Sequence, residues 1–307
     1  MTAKIPELKS RAIRTAISDI ENLDLKIASE EEIDGILSGL IKGYKSEAPI
    51  FRERINVYRA VRCERPLSIS DIGPPPTEIL TSYGRGNVIG QSVFYCCNSR
   101  NAPFFELKCK PGDQIALSKW QTSPDLVLNH IGFTEETKGK LASSRSLDQI
   151  YEFVKETNNY SELNEMVHEY LGYIFSRQVD SDDEQLHYKL TSVIAYKMMA
   201  GNVFHGLLYP TFQMAGNADN IILKSDYFRE KLRFVNVEYI NINSHDGGRF
   251  SIDIQDSASK IDDEGRFEWS GRPLHWELTE KGQIAHFEVY NGQWVAKDEN
   301  GEILEKV

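Results

Sequence analysis

The sequence predicts an α+β protein: a mixed-sheet core, a helical segment before it, and an antiparallel β segment after it. Three observations carry this expectation. Apolar residues recur at helical spacing before residue 50 and again between 146 and 200. Short runs rich in Val, Ile, Tyr and Phe lie between and after these stretches. From about residue 234, strand-like runs alternate with Asp246-Gly247, Asn291-Gly292 and Asn300-Gly301, which are hairpin-turn signals. The chain is accordingly divided into an N-terminal helical segment (1–50), a central domain (51–233) and a β-rich appendage (234–307).

The elements follow in order. Ser29 and Glu32 have capping-box spacing, and Ile33, Ile36, Leu37, Leu40 and Ile41 continue at i, i+3, i+4. Ile55 to Arg62 reads as the first core strand. Ile55, Val57, Arg59 and Val61 share one face, so an arginine stands on a mostly apolar side. Pro74-Pro75-Pro76 marks a loop before a short helix at 77–82. Gln91 to Cys97 is a strand, Ala102 to Leu107 is ambiguous, and Pro111-Gly112-Asp113 turns into a strand at Gln114–Leu117. Helical spacing runs through Leu147–Val154, Leu163–Ile174 and Leu186–Met198, with the acidic cluster from Asp180 opening the last helix. Gly206–Pro210 and Asn220–Lys224 read as strands.

Composition narrows the function. The 307 residues suffice for one elaborated domain or two modest ones. A net charge of −11 argues against direct nucleic-acid binding, which needs a basic face. The first residues, MTAKIPELKSRAIR, hold no apolar signal region, and no run approaches the roughly 18 apolar residues of a membrane span, so a cytoplasmic protein is expected. Cys63, Cys96, Cys97 and Cys109 form no C-x-x-C pair and the seven histidines show no metal spacing, so reduced thiols and no metal are expected. Arg52, Arg54, Arg59, Arg62, Arg65 and Arg85 gather in one region; most should be solvated or ion-paired, leaving about two for a site.

The chemistry concentrates in Tyr83 to Glu106. Gly84-Arg85-Gly86-Asn87-Val88-Ile89-Gly90 nearly spells a dinucleotide-binding loop. The spacing is off by one, and the loop precedes a strand where that motif opens a helix. Any nucleotide is therefore met by another geometry, with Arg85 supplying charge. Glu106 follows Pro103-Phe104-Phe105, a carboxylate in an apolar neighbourhood. Such a group needs a partner or a task.

Taken in order, Tyr58-Arg59-Ala60, Gly84-Arg85-Gly86-Asn87, Val93-Phe94-Tyr95-Cys96, the apolar run ending in Glu106, Gly206-Leu207-Leu208-Tyr209-Pro210-Thr211 and Asn220-Ile221-Ile222-Leu223 resemble the RES domain. The resemblance covers about residues 51–230. It implies an ADP-ribosyltransferase-like mixed-sheet fold and NAD as substrate, with no prosthetic group. In catalysis it implies Glu106, Arg59 and Tyr95; in binding NAD, Arg59, Arg85, Tyr95, Asn87 and Thr211. Thr211 stands where the family has its serine.

Cleavage of the nicotinamide–ribose bond passes through an oxocarbenium-like state. It calls for cations at the pyrophosphate, an aromatic surface for nicotinamide and a carboxylate near the ribose. The resemblance implies NAD glycohydrolysis or phosphorolysis by a toxin of a toxin–antitoxin or defence system, neutralised by a helix-turn-helix antitoxin or another protein. Transfer of ADP-ribose to a macromolecule, and a non-catalytic nucleotide-sensing or partner-binding module, remain open, as does an oligomer. Every expected site residue precedes 234, so truncation there is expected to spare NAD chemistry.

Overall fold

A computed structural model describes residues 6–46, 48–141, 161–177, 179 and 182–271, together with the backbone of four strands between 274 and 306. The helices are α1 (Ser10–Glu21), α2 (Glu30–Ile41), α3 (Ala102–Glu106), α4 (Glu135–Lys140), α5 (Glu162–Ser176), α6 (Glu184–Met198) and α7 (Ser225–Lys231). The strands are β1 (Ile50–Phe51), β2 (Asn56–Arg62), β3 (Val93–Cys97), β4 (Gln114–Gln121), β5 (Leu126–His130), β6 (Gly206–Pro210), β7 (Asp219–Lys224), β8 (Arg233–Asp246) and β9 (Arg249–Ala258). They continue with β10 (Leu274–Thr279), β11 (Ile284–Tyr290), β12 (Gln293–Lys297) and β13 (Ile303–Lys306).

These strands form one mixed sheet in the order β1-β5-β6-β7-β3-β2-β4-β8-β9-β10-β11-β12-β13. Its β5·β6 pair is parallel, and its other pairs, such as β6·β7 and β4·β8, are antiparallel. The fold is α+β, as expected.

On one face, α1, α2, α5 and α6 bury Ile13, Ile20, Ile33, Leu37, Leu40, Val167, Leu171 and Ile194 against Val93, Leu207, Tyr209 and Ile222 of the sheet. The Ser29 hydroxyl caps α2 by accepting from the Glu32 amide at 3.1 Å, as the spacing predicts. On the opposite face, Val57, Phe94, Trp120 and Leu223 form a second core with Tyr227 of α7. Phe228 of the same helix stacks on Phe94 at 4.8 Å.

Several expectations need correction. The segment at 77–82 is a single 3-10 turn, Thr77–Ile79, with no side-chain cap to extend it. Ala102–Glu106 is a helix, begun by Pro103 in its first turn, where a missing N–H costs nothing. Strand β5 was not foreseen because Asn129 and His130 give it a polar end. Both are buried, and Asn129 donates to the Met198 carbonyl at 2.7 Å. The expected helix at Leu147–Val154 and the residues Asp180 and Ser181 lie outside the described residues.

The largest difference concerns 234–307. Strands β8 and β9 are not set apart from the core. Strand β8 pairs with β4 from Gln114↔Asn241 to Gln121↔Arg233, so the boundary at 233/234 falls inside a continuous sheet. Ile240, Ile242, Phe250, Ile252 and Ile254 form a third core with Ala102, Phe104, Phe105 and Cys97. Phe250 lies edge-on to Phe105 at 4.9 Å. The β8–β9 ribbon is therefore the floor on which α3 rests. No helix among the described residues is long and apolar enough to cross a membrane.

Candidate functional site at the split between β2 and β3

Strand β2 follows β4 along its whole length, and β3 follows β7 likewise. Between β2 and β3, however, only Tyr58↔Cys97 is in register. The sheet opens beyond that pair. A cavity of about 380 Å³ lies at the opening, walled by Arg59, Arg85, Tyr95, Glu106, Tyr188 and Asn220 among others. This volume falls within the range of small-molecule sites.

Arg59 occupies the split. Its Nη1 donates to the Tyr95 carbonyl at 3.0 Å, taking an acceptor that a paired β2 would have engaged. Its guanidinium lies over the Phe94 ring at 5.2 Å, on the apolar face the alternation predicts. Its Nε is buried without a hydrogen-bond partner among the described residues. Burial works against its charge and lowers its pKa. Arg59 is thus a desolvated cation whose buried Nε–H is unused among the described residues.

The loop carrying Arg85 is pressed onto β3 and β7. A Cβ at Gly84 would lie 2.2 Å from Asn87 Oδ1 and 2.8 Å from the Tyr95 hydroxyl; one at Gly86 would lie 2.0 Å from Ile222 Cδ1. Glycine is needed here for close approach. The Tyr95 hydroxyl accepts from the Gly86 amide at 2.7 Å and donates to Asn87 Oδ1 at 2.9 Å. Arg85 then projects to the cavity, donates to the Phe175 carbonyl, and sits among the rings of Phe175, Tyr188 and Phe212. The Tyr83 hydroxyl donates to Glu30 of α2 at 2.9 Å, so the N-terminal segment braces this loop.

Glu106 ends α3. Behind it, Arg62 Nη2 donates to the Leu107 carbonyl and to Asp113, fixing the helix end. Glu106 Oε1 accepts from Asn220 Nδ2 at 2.9 Å. Its carboxyl is held by a neutral amide. Burial raises its pKa above the ordinary carboxylate range, opposed by that hydrogen bond and by Arg85 and Lys108.

Of the expected residues, Arg59, Arg85, Tyr95 and Glu106 meet at the cavity. Asn87 stands behind it, buried and bonded to Tyr95. Thr211 does not line the cavity. The chain leaves β6 at Pro210, and Thr211 closes the turn towards β7, its amide donating to the Ala218 carbonyl at 2.9 Å. Its hydroxyl is buried without a partner among the described residues. Of the remaining arginines, Arg52, Arg62 and Arg65 form ion pairs with Asp125, Asp113 and Asp256. His205, just before β6, is tied to β5: its Nδ1 accepts from the Val127 amide at 2.9 Å.

Tyr188 and Tyr209 were not foreseen as wall residues. Tyr188 sits under the Arg85 guanidinium at 5.3 Å and donates to Glu184 at 3.0 Å. In the sequence it belongs to an unbroken helical repeat that reads as core. Tyr209 packs edge-on against Phe175 at 5.1 Å. Comparison of the chain with protein-family models, curated proteins and solved structures found no match. The functional reading therefore rests on the resemblance of the motifs and on the site itself.

Proposed function

We propose that this is a RES-like protein of the ADP-ribosyltransferase-like kind, and that its cavity binds NAD and cleaves the nicotinamide–ribose bond. The observation that carries the reading is the convergence of two arginines, a half-buried tyrosine and one carboxylate on a single cavity. Arg59, with a spare buried donor, and Arg85 suit the pyrophosphate oxygens, since guanidinium binds phosphate in a fork. Tyr95, anchored through its hydroxyl, offers a fixed ring face to nicotinamide.

When the C–N bond breaks, its electron pair leaves with nicotinamide and positive charge grows on the ribose. Glu106, ionised, stabilises that charge. The ribosyl carbon is then taken by a nucleophile: water, phosphate or a macromolecule. An activity that drains NAD calls for restraint in a cell, which fits a neutralising partner of the helix-turn-helix antitoxin kind.

The placement of Thr211 favours a second reading, a nucleotide-binding module without turnover. Incubating the purified protein with NAD and following free nicotinamide separates the two. Release that disappears in Glu106→Gln supports the enzyme. NAD binding without release supports the module. Neither binding nor release removes NAD from the account.

A further inference from the structure

We propose that Asn220 is the positioning residue of Glu106: its amide, oriented by the Cys97 thiol, presents an N–H to the Glu106 carboxylate and holds it at the cavity wall. The inference deepens the proposed function, taking Glu106 as the reacting carboxylate, but its geometry stands apart from the identity of the substrate.

Asn220 on β7 is the register partner of Cys97 on β3, so the two side chains emerge side by side on one face. Both residues are only 5% exposed. Cys97 Sγ lies 3.0 Å from Asn220 Oδ1, and Asn220 Nδ2 lies 2.9 Å from Glu106 Oε1. A side-chain amide can be turned either way, and its hydrogen-bond network decides. Burial first, and the charge of Glu106 next, push the Cys97 thiol well up, so it keeps its proton. The S–H donates to Oδ1, which leaves the NH2 group for Glu106. An N–H facing a carboxyl favours its ionised form; a carbonyl in that place would demand a protonated one.

The other groups around Glu106 act from farther away. Arg85 and Lys108 favour its charge, while Cys97 and Tyr209 are titratable neighbours disfavoured by it. Arg85 is engaged by the Phe175 carbonyl and the Tyr188 ring. Lys108 is 67% exposed and turned to Glu184 at 3.9 Å. Asn220 makes the direct contact.

The test uses Asn220→Leu, Asn220→Ala, Cys97→Ser and Cys97→Ala, each with and without Glu106→Gln. Two quantities are read: the acid limb of kcat/KM for nicotinamide release, and the Tm difference made by Glu106→Gln as a function of pH. Asn220→Leu should move the acid limb up by about one pH unit or more, the worth of a hydrogen bond to a charged group. It should also enlarge the Tm gain from Glu106→Gln at pH 8. Cys97→Ala should shift both in the same direction by less, and Cys97→Ser, which keeps a donor, should leave the limb in place.

Asn220→Ala removes the donor without adding a charge, so it gives the same direction if the leucine variant does not fold. An acid limb that stays put, or a Tm gain from Glu106→Gln that is equal in both backgrounds, overturns the inference. The thermal arm needs no substrate. A protein that releases no nicotinamide therefore counts against the proposed function while the Tm cycle still judges Asn220.

Discussion

At Glu106, burial opposes charge while Asn220, Arg85 and Lys108 favour it, and burial is the larger effect. Its folded pKa lies above its unfolded one. The stability such a carboxyl contributes is fully present below the unfolded pKa and lost as pH rises through the folded pKa. Ionised Glu106 is thus a stability cost at neutral pH. Glu106→Gln should raise Tm at pH 7–8 by roughly 1–3 °C, with the gain vanishing near pH 4. A melting series across that range checks it; a loss of Tm at pH 8 would contradict it. The same upward shift should carry the acid limb of the proposed NAD cleavage above that of an unperturbed glutamate.

The arginines make a second prediction at this scale. Arg59→Ala and Arg85→Ala should weaken NAD binding more than the lysine replacements do, because lysine keeps charge and loses only the fork. Calorimetric titration in a Glu106→Gln background measures this. Equal affinity across all four would make both arginines structural. Arg59 and Glu106 stood out in the sequence because odd chemistry sits in a plain local pattern, a cation on an apolar strand face and a carboxylate after Pro103-Phe104-Phe105, whereas Tyr95 was singled out by the resemblance alone. Tyr188 did not stand out. It lies over 80 residues downstream of the Arg85 loop, and a tyrosine in a helical repeat looks like core. Thr211 read as a site residue because of its neighbours in sequence, but the turn after Pro210 draws it away from the cavity wall.

Among the elements, α3 shows how the placement of the proposed catalytic carboxylate depends on distant chain. A five-residue helix has little stability of its own. Phe104 and Phe105 hold it by packing on Phe250 of β9. Phe250→Ala should therefore destabilise the protein by about 3–5 kcal/mol and depress nicotinamide release further than the unfolded fraction explains. A variant that loses stability alone, with full specific activity of its folded fraction, would show that α3 keeps its place unaided. This dependence was invisible in the sequence. Alternation and hairpin signals located β8 and β9, but neither says which sheet a ribbon joins. Only the pairing with β4 does.

At the scale of the molecule, the sheet is one body and the cavity is where it parts. The helical segment braces the Arg85 loop through Glu30, and the β8–β9 ribbon supports α3. The expectation that a cut after residue 233 spares NAD chemistry is accordingly reversed: the truncated chain should fail to fold or to turn over NAD. Circular dichroism with a nicotinamide assay on residues 1–233 checks this, and a folded, active fragment would refute it.

The central claim is that these converging residues cleave NAD. The most direct measurement follows nicotinamide release by the 307-residue protein and by its Glu106→Gln variant. The account predicts release by the first and a loss on the order of 10²–10³ in rate for the folded second. Release at the same rate by both, or by neither, contradicts it.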